Sequence, residues 1–143
     1  MDIEINQKSV ELEEIGAIQI QDEICLSDSV DPQELAEIAQ RLPDAQAYGR
    51  MAELFKLLGD STRLRIVVAL LERDLCVHDL VALLNSLKTG QTLSQSAISH
   101  QLRLMRSAQI VRAERQGQRV RYSLIDQHIR ELVASSLAHA RED

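Results

Sequence analysis

The sequence predicts a mainly α-helical domain with a small β-hairpin, a winged helix-turn-helix, and three observations predict it. Apolar residues recur at helical spacing in short stretches bounded by caps, glycine and proline. Two of these stretches, Val77–Leu87 and Ser94–Ser107, flank a polar break, Lys88-Thr89-Gly90-Gln91-Thr92. Two β-type runs, Ile110–Glu114 and Arg119–Leu124, then flank Gln116-Gly117-Gln118, a hairpin turn signal. The 143 residues suit one such domain with an arm, and hardly two independent domains.

Residues 1 to 30 alternate acids with isolated Ile and Leu and show no sustained period. Asp31-Pro32-Gln33-Glu34 then reads as a helix start, with Asp capping and Pro at the first helical position. Leu35, Ile38, Ala39 and Leu42 form its apolar stripe until Pro43 stops it. Residues 1–45 are therefore expected to be an acidic arm and docking helix, and 46–143 the winged helix-turn-helix domain. In the latter, Met51, Leu54, Phe55 and Leu58 share a stripe that Gly59 closes. The next helix starts at Ser61 or Thr62, with Leu64, Val67, Val68 and Leu71 as its expected core stripe. In the Ser94–Ser107 stretch, Ile98, Leu102 and Met105 point inward. The last helix runs from about Gln127 to Ala140, with Ile129, Leu132, Val133 and Leu137 on its apolar side.

Charge narrows the function. Sixteen Lys and Arg against 22 Asp and Glu give a net charge of −6, which on average disfavours a polyanion as partner. The acid is concentrated at the front, with twelve acidic and three basic residues in the first fifty. From His100 to Tyr122 the one carboxylate is Glu114, against Arg103, Arg106, Arg112, Arg115, Arg119 and Arg121. That island is suited to nucleic acid. With Phe55, Tyr48 and Tyr122 as the whole aromatic complement, stacking platforms for single strands are excluded, so duplex DNA is the expected partner. No apolar run approaches the roughly 20 residues of a membrane span, and the acidic N-terminus is unlike a secretory signal, so a cytoplasmic protein with no membrane contact is expected. Two cysteines, Cys25 and Cys76, are too few for a disulfide scaffold.

In the second helix of the pair, Gln95, Ser96, Ser99, His100 and Arg103 fall on one side and Ile98, Leu102 and Met105 on the other. The outward set can donate to or accept from base edges and carries no acid to repel phosphate. The hairpin adds Arg115, Arg119 and Arg121, with Arg119 and Arg121 on one face, suited to backbone phosphates or a minor groove. The competing reading is a merely solvated helix and a merely soluble hairpin. The two features together favour DNA.

Near the C-terminus, Asp126 and His128 precede His139 and Glu142. Eleven residues at 100° each place the two histidines on one helix face, about 20° apart, yet about 16 Å apart along the axis, too far for one ion with bonds near 2 Å. Two copies packed antiparallel about a two-fold axis solve this, the start of one helix meeting the end of the other. Each of two equivalent sites then has two imidazoles and two carboxylates, which suit Zn²⁺ best, with Co²⁺ or Cd²⁺ as alternative occupants. Against this, Asp126 is a natural helix cap and a lone His is usually polar surface. A second cluster, Cys76, His78 and Asp79, with Cys25 from the arm, reads either as a thiolate metal site, as a thiol sensor of oxidants or arsenicals, or as a buried small cysteine beside a paired aspartate.

The stretches Leu57–Ile66, Leu75–Leu80 and Ser94–Arg103, together with the hairpin, resemble the ArsR/SmtB family of bacterial metal-responsive repressors over residues 48 to 142. Asp-x-His followed eleven residues on by His-x-x-Glu is similar to its zinc-sensing branch. The resemblance implies a homodimeric repressor that binds a near-palindromic operator when metal-free and releases it when zinc occupies Asp126, His128, His139 and Glu142. A route for the release is that His139, once locked, passes its other ring N–H to a backbone acceptor leading toward the DNA-reading helix. The stretch from Asn85 to Leu93 is several residues longer than the tight turn usual in the family, and the arm offers Cys25 with no histidine. A thiol sensor using Cys25 and Cys76 is the rival on the same scaffold. A small zinc hydrolase is disfavoured by the lack of a His-Glu-x-x-His pair, and no small-molecule substrate is expected.

Overall fold

The protein is described by a computed structural model over residues 29–87 and 91–142. Cys25 and residues 88–90 of the polar break lie outside those residues. The chain divides into two compact units, one ending at Tyr48 and the other running from Gly49.

The first unit contains α1 (Pro32–Arg41) and the start of α2 (Ala45–Leu58). Asp31 caps α1 by accepting from the Gln33 N–H at 3.0 Å, with proline at the first position. Neither Leu35 nor Ile38, Ala39 or Leu42 is buried.

The second unit continues through α3 (Ser61–Glu72), β1 (Leu75–Cys76), α4 (Val77–Ser86), α5 (Gln95–Ser107), β2 (Val111–Gln116), β3 (Arg119–Leu124) and α6 (Gln127–Arg141). The sheet has the antiparallel order β1-β3-β2. The predicted hairpin is therefore three-stranded, with Leu75 opposite Tyr122 and Cys76 opposite Arg121. Its turn places Gly117 at φ 64°, a left-handed conformation that glycine adopts without steric cost.

The core is built where α3, α4, α5 and the sheet meet α6. Ile66, Val67, Leu70, Leu80, Ile98, Leu102, Met105 and Ile110 are wholly excluded from solvent, each worth about 1.5–3 kcal/mol of transfer free energy. The predicted stripe of α3 is partly corrected here. Val67 is in the core, but its companions are Ile66 and Leu70, while Leu64 is 41% exposed and Val68 and Leu71 are half-buried. The helix is apolar on most of its circumference, and α6, strand β3 and α4, which pack on it, select a different side of it from the one the spacing favours. In α2 only Leu58 is buried, and Met51 and Phe55 are half exposed.

Polar ties set how the helices meet. Arg63 donates from Nε to the Leu57 carbonyl at the end of α2, and Arg130 of α6 donates to the Leu71 carbonyl at the end of α3. Each serves a last-turn carbonyl that a helix leaves without an internal partner. Across the longer connection before α5, the Asn85 amide donates to the Leu93 carbonyl and accepts from the Leu93 N–H, both at 2.8 Å. That double bond closes the loop at its base, directly before the Ser94 cap.

Helix α5 ends in a left-handed residue, Gln109 at φ 58°. The Ile110 N–H returns to the Met105 carbonyl and the Gln109 N–H to the Arg106 carbonyl, the bond pair of a Schellman cap. Glycine relieves the Cβ clash of this conformation. Gln109→Gly is expected to raise the urea midpoint, a stabilisation of about 0.5–1 kcal/mol net of glycine's greater chain entropy, and Gln109→Val to lower it. Equal midpoints for the three proteins would contradict the cap assignment.

Candidate nucleic-acid interface and metal centre

Helix α5 starts where Ser94 accepts from the Ala97 N–H at 3.1 Å. Its inward face, Ile98, Leu102 and Met105, is fully buried, and this fixes what the opposite face can offer. Gln95, Ser96, His100 and Arg103 are exposed and Ser99 is half-buried. Gln95, Ser96, Ser99 and Arg103 line one recess together with Tyr122 of β3. Helix α5 and the hairpin thus share a concave surface lined by polar side chains and one tyrosine. Sequence reasoning did not single out Tyr122. Its signal was an aromatic residue alternating with Arg119 and Arg121, hence on the other side of the strand.

The register of the hairpin sorts its arginines. Arg119 faces Gln116 and Arg121 faces Glu114, while Arg115 faces Val120. Arg119 and Arg121 therefore lie on one face of the sheet and Arg115 on the other. All three are exposed. Arg115 Nε donates to the Gly117 carbonyl at 3.3 Å, tying it to the turn. Arg112 instead crosses to the buried Ser123 hydroxyl at 3.0 Å, a structural contact.

At the start of α6, one oxygen of Asp126 accepts the Ile129 N–H at 3.0 Å and caps the helix. That donation holds its carboxyl below the ordinary carboxylate pKa, with His128 adding to the effect. Since the folded pKa is the lower one, this cap is fully present above the ordinary value and is lost as pH falls through the depressed one. The second oxygen lies 3.6 Å from His128 Nδ1, beyond hydrogen-bond length. The His128 side chain is 93% exposed. A capped carboxylate whose second oxygen is not used by the cap, beside an exposed imidazole, has the donor chemistry for half of a divalent-ion site. His139 and Glu142 are exposed at the other end of α6, Glu142 at the C-cap. Among the described residues, no three His, Cys, Asp or Glu side chains within one chain converge to hold a metal.

The structure brings together two members of the second cluster. Cys76, the N-cap residue of α4, donates from Sγ to Asp79 Oδ2 at 3.0 Å. This donation lowers the Asp79 pKa, with Arg119 and His78 contributing. Cys76 is buried, and His78 is exposed. A metal bound through Cys76 would have to displace the proton now shared with Asp79. Cys25 lies outside the described residues.

Helices α2, α3, α4 and α6 border an apolar groove lined by Phe55, Leu64, Val68, Leu83, Leu132 and Leu137 among others. Among the described residues no helix is long and apolar enough to cross a membrane.

Comparison with known proteins agrees with this architecture. Residues 60–113 match the bacterial regulatory protein, arsR family. The chain is 38% identical over 111 residues to a transcriptional repressor SmtB homolog from Synechocystis sp., covering 76% of this chain and 79% of that protein. It is 38% identical over 93 residues to a cadmium resistance transcriptional regulatory protein CadC homolog from Staphylococcus aureus, covering 64% and 71%. Among solved structures, the AntR antimony-specific transcriptional repressor superposes with a TM-score of 0.59 at 26% identity, covering 87% of this chain and 95% of that one. These relatives are transcriptional regulators and not enzymes, which sets the hydrolase reading aside. By its sequence and its winged helix-turn-helix fold, this chain belongs to the ArsR/SmtB family of transcriptional regulators.

Proposed function

We propose that the protein is a homodimeric, zinc-responsive repressor that holds operator DNA when metal-free and releases it on binding zinc, with residues 46–143 as the DNA-binding and dimerisation domain. The observation that carries the DNA half is the recess in which the acid-free face of α5 meets the wing. Gln95, Ser96, Ser99, His100 and Arg103 read base edges in the major groove, and Arg115, Arg119 and Arg121 contact phosphates. The relatives named above are transcriptional regulators, two of them repressors by name, which supports this reading.

The dimer is supported by apolar surface that one chain leaves uncovered. Phe55 and Leu87 are half exposed and line the apolar groove, and Met51 on α2 is half exposed as well; an exposed apolar patch of this sort marks an interaction surface. The metal half rests on the two ends of α6. Asp126 and His128 of one subunit with His139 and Glu142 of the other would hold zinc, with Co²⁺ or Cd²⁺ as substitutes. What zinc supplies there is a bond between two helices that the apolar contact alone leaves able to shift. Asp126 keeps its cap while offering its outer oxygen, and each histidine offers a ring nitrogen from an exposed position. The relatives span cadmium and antimony by name, so the choice of zinc comes from the nitrogen and oxygen donors of this chain.

Two experiments follow. Against operator duplex at fixed salt, Arg103→Ala and His100→Ala are each expected to cost about 1–3 kcal/mol of specific binding, whereas Arg119→Ala weakens all sequences alike and reduces the salt slope by about one unit. Unchanged affinity in all three would remove α5 and the wing from the interface. In a zinc titration of the preformed complex, His128→Ala and His139→Ala should bind DNA without metal yet no longer release it. A thiol sensor working through Cys76 and Cys25 would instead keep its response in His128→Ala and lose it in Cys76→Ser.

A further inference from the structure

We infer that Arg63 is a positioning residue for the DNA-reading helix, its guanidinium gripping Gln101 on the back of α5 and fixing the rotation of that helix about its own axis. The inference rests on the proposed reading of DNA by α5. Arg63 is the third residue of α3, with its backbone N–H held by Asp60 at 3.0 Å. Its side chain spans two other helices. Nε donates to the Leu57 carbonyl at 2.6 Å, and Nη1 donates to Gln101 Oε1 at 2.9 Å. All three contacts are partly buried. The first side-chain bond anchors the guanidinium on the last turn of α2, so the second meets Gln101 from a fixed point.

Gln101 is placed where such a grip matters most. It is two residues from Ser99 and two from Arg103, so each lies about 200° around the helix from it, on the nearly opposite face. The other inward contacts of α5, through Ile98, Leu102 and Met105, are apolar. They hold the helix in the core but carry little directional preference. A roll of about 10° at a radius of about 6 Å moves a side chain by about 1 Å. That displacement spoils a hydrogen bond to a base edge, which needs a length near 3 Å and a near-linear angle. It hardly alters attraction to phosphates, which varies slowly with distance. Loss of the grip should therefore cost sequence discrimination and leave non-specific affinity intact. A planar guanidinium can serve two acceptors at a fixed angle, which a lysine ammonium on a flexible stem does less well.

The test uses the full-length, metal-free protein and two duplexes of equal length, one selected by the wild-type protein from a random-sequence library and one scrambled. Because Arg63 also supports the end of α2, the informative variants are at Gln101. Gln101→Met, which keeps the volume and removes the acceptor, is expected to lower affinity for the selected duplex about tenfold, the scale of one misaligned base contact, with affinity for the scrambled duplex and the salt slope near wild type and the protein still folded. Gln101→Glu keeps an acceptor for Arg63 and should restore the ratio between the duplexes, since any effect of its charge on DNA falls on both alike. Arg63→Lys combined with Gln101→Met should discriminate no worse than Gln101→Met alone. An unchanged ratio in Gln101→Met, or an equal loss on both duplexes with a lowered melting temperature, would overturn the positioning role. A wild-type protein that selects no sequence would overturn the DNA reading itself, and this inference with it.

Discussion

Burial of Ile98, Leu102 and Met105 is the constraint on which the rest of the molecule depends. With these three side chains wholly inside, the opposite face of α5 is committed to solvent, and its chemistry is decided by residues that core packing does not need. That face is polar, lacks acids and opens onto the hairpin. The hairpin is in turn tied to α5 by the Schellman cap at Gln109 and by the Ile125 N–H, which donates to the Ile110 carbonyl at 2.9 Å. Reading helix and wing are thus set by one short, tightly packed segment of chain.

Under the proposed mechanism, regulation reaches this segment from α6. That helix packs through Ile129 and Val133 and is tied by Arg130 to the end of α3, the helix whose first turn carries Arg63. A change in how two α6 helices are held can therefore alter the frame that supports α5. Thermodynamically, zinc must favour the arrangement that binds DNA poorly, and by linkage DNA must weaken zinc binding by the same factor. Nothing in this scheme requires the reading helix to unfold. A small roll or a change in spacing between two half-site readers is enough, because base contacts tolerate little displacement.

Much of this was legible in the sequence. Ser94, Gly117 and Asp126 each announced an element boundary through local chemistry that tertiary packing left undisturbed, and α5 stands as its periodicity predicts. What was not legible depended on distant partners. Strand β1 is two residues long and exists because Tyr122 and Arg121 pair with it. The phase of α3 was ambiguous because Leu64, Ile66, Val67, Val68, Leu70 and Leu71 put apolar groups on nearly every side. The contact of Arg63 with Gln101 joins residues 38 apart that no spacing rule connects. Asp126 was readable both as a cap and as a proposed ligand; one of its oxygens accepts from the backbone while the other lies 3.6 Å from His128.

The central claim is that each metal site takes its ligands from both subunits, and zinc binding by mixed dimers tests it most directly. When His128→Ala and His139→Ala subunits are exchanged, one site of the heterodimer lacks both histidines. The other regains Asp126 and His128 from one chain with His139 and Glu142 from the other. The account predicts that the heterodimer binds one zinc ion with near wild-type affinity while neither parent homodimer binds at that strength, the restored site weakening below about pH 6 as its imidazoles protonate. Failure to recover any tight binding in dimers shown to have exchanged subunits would contradict it.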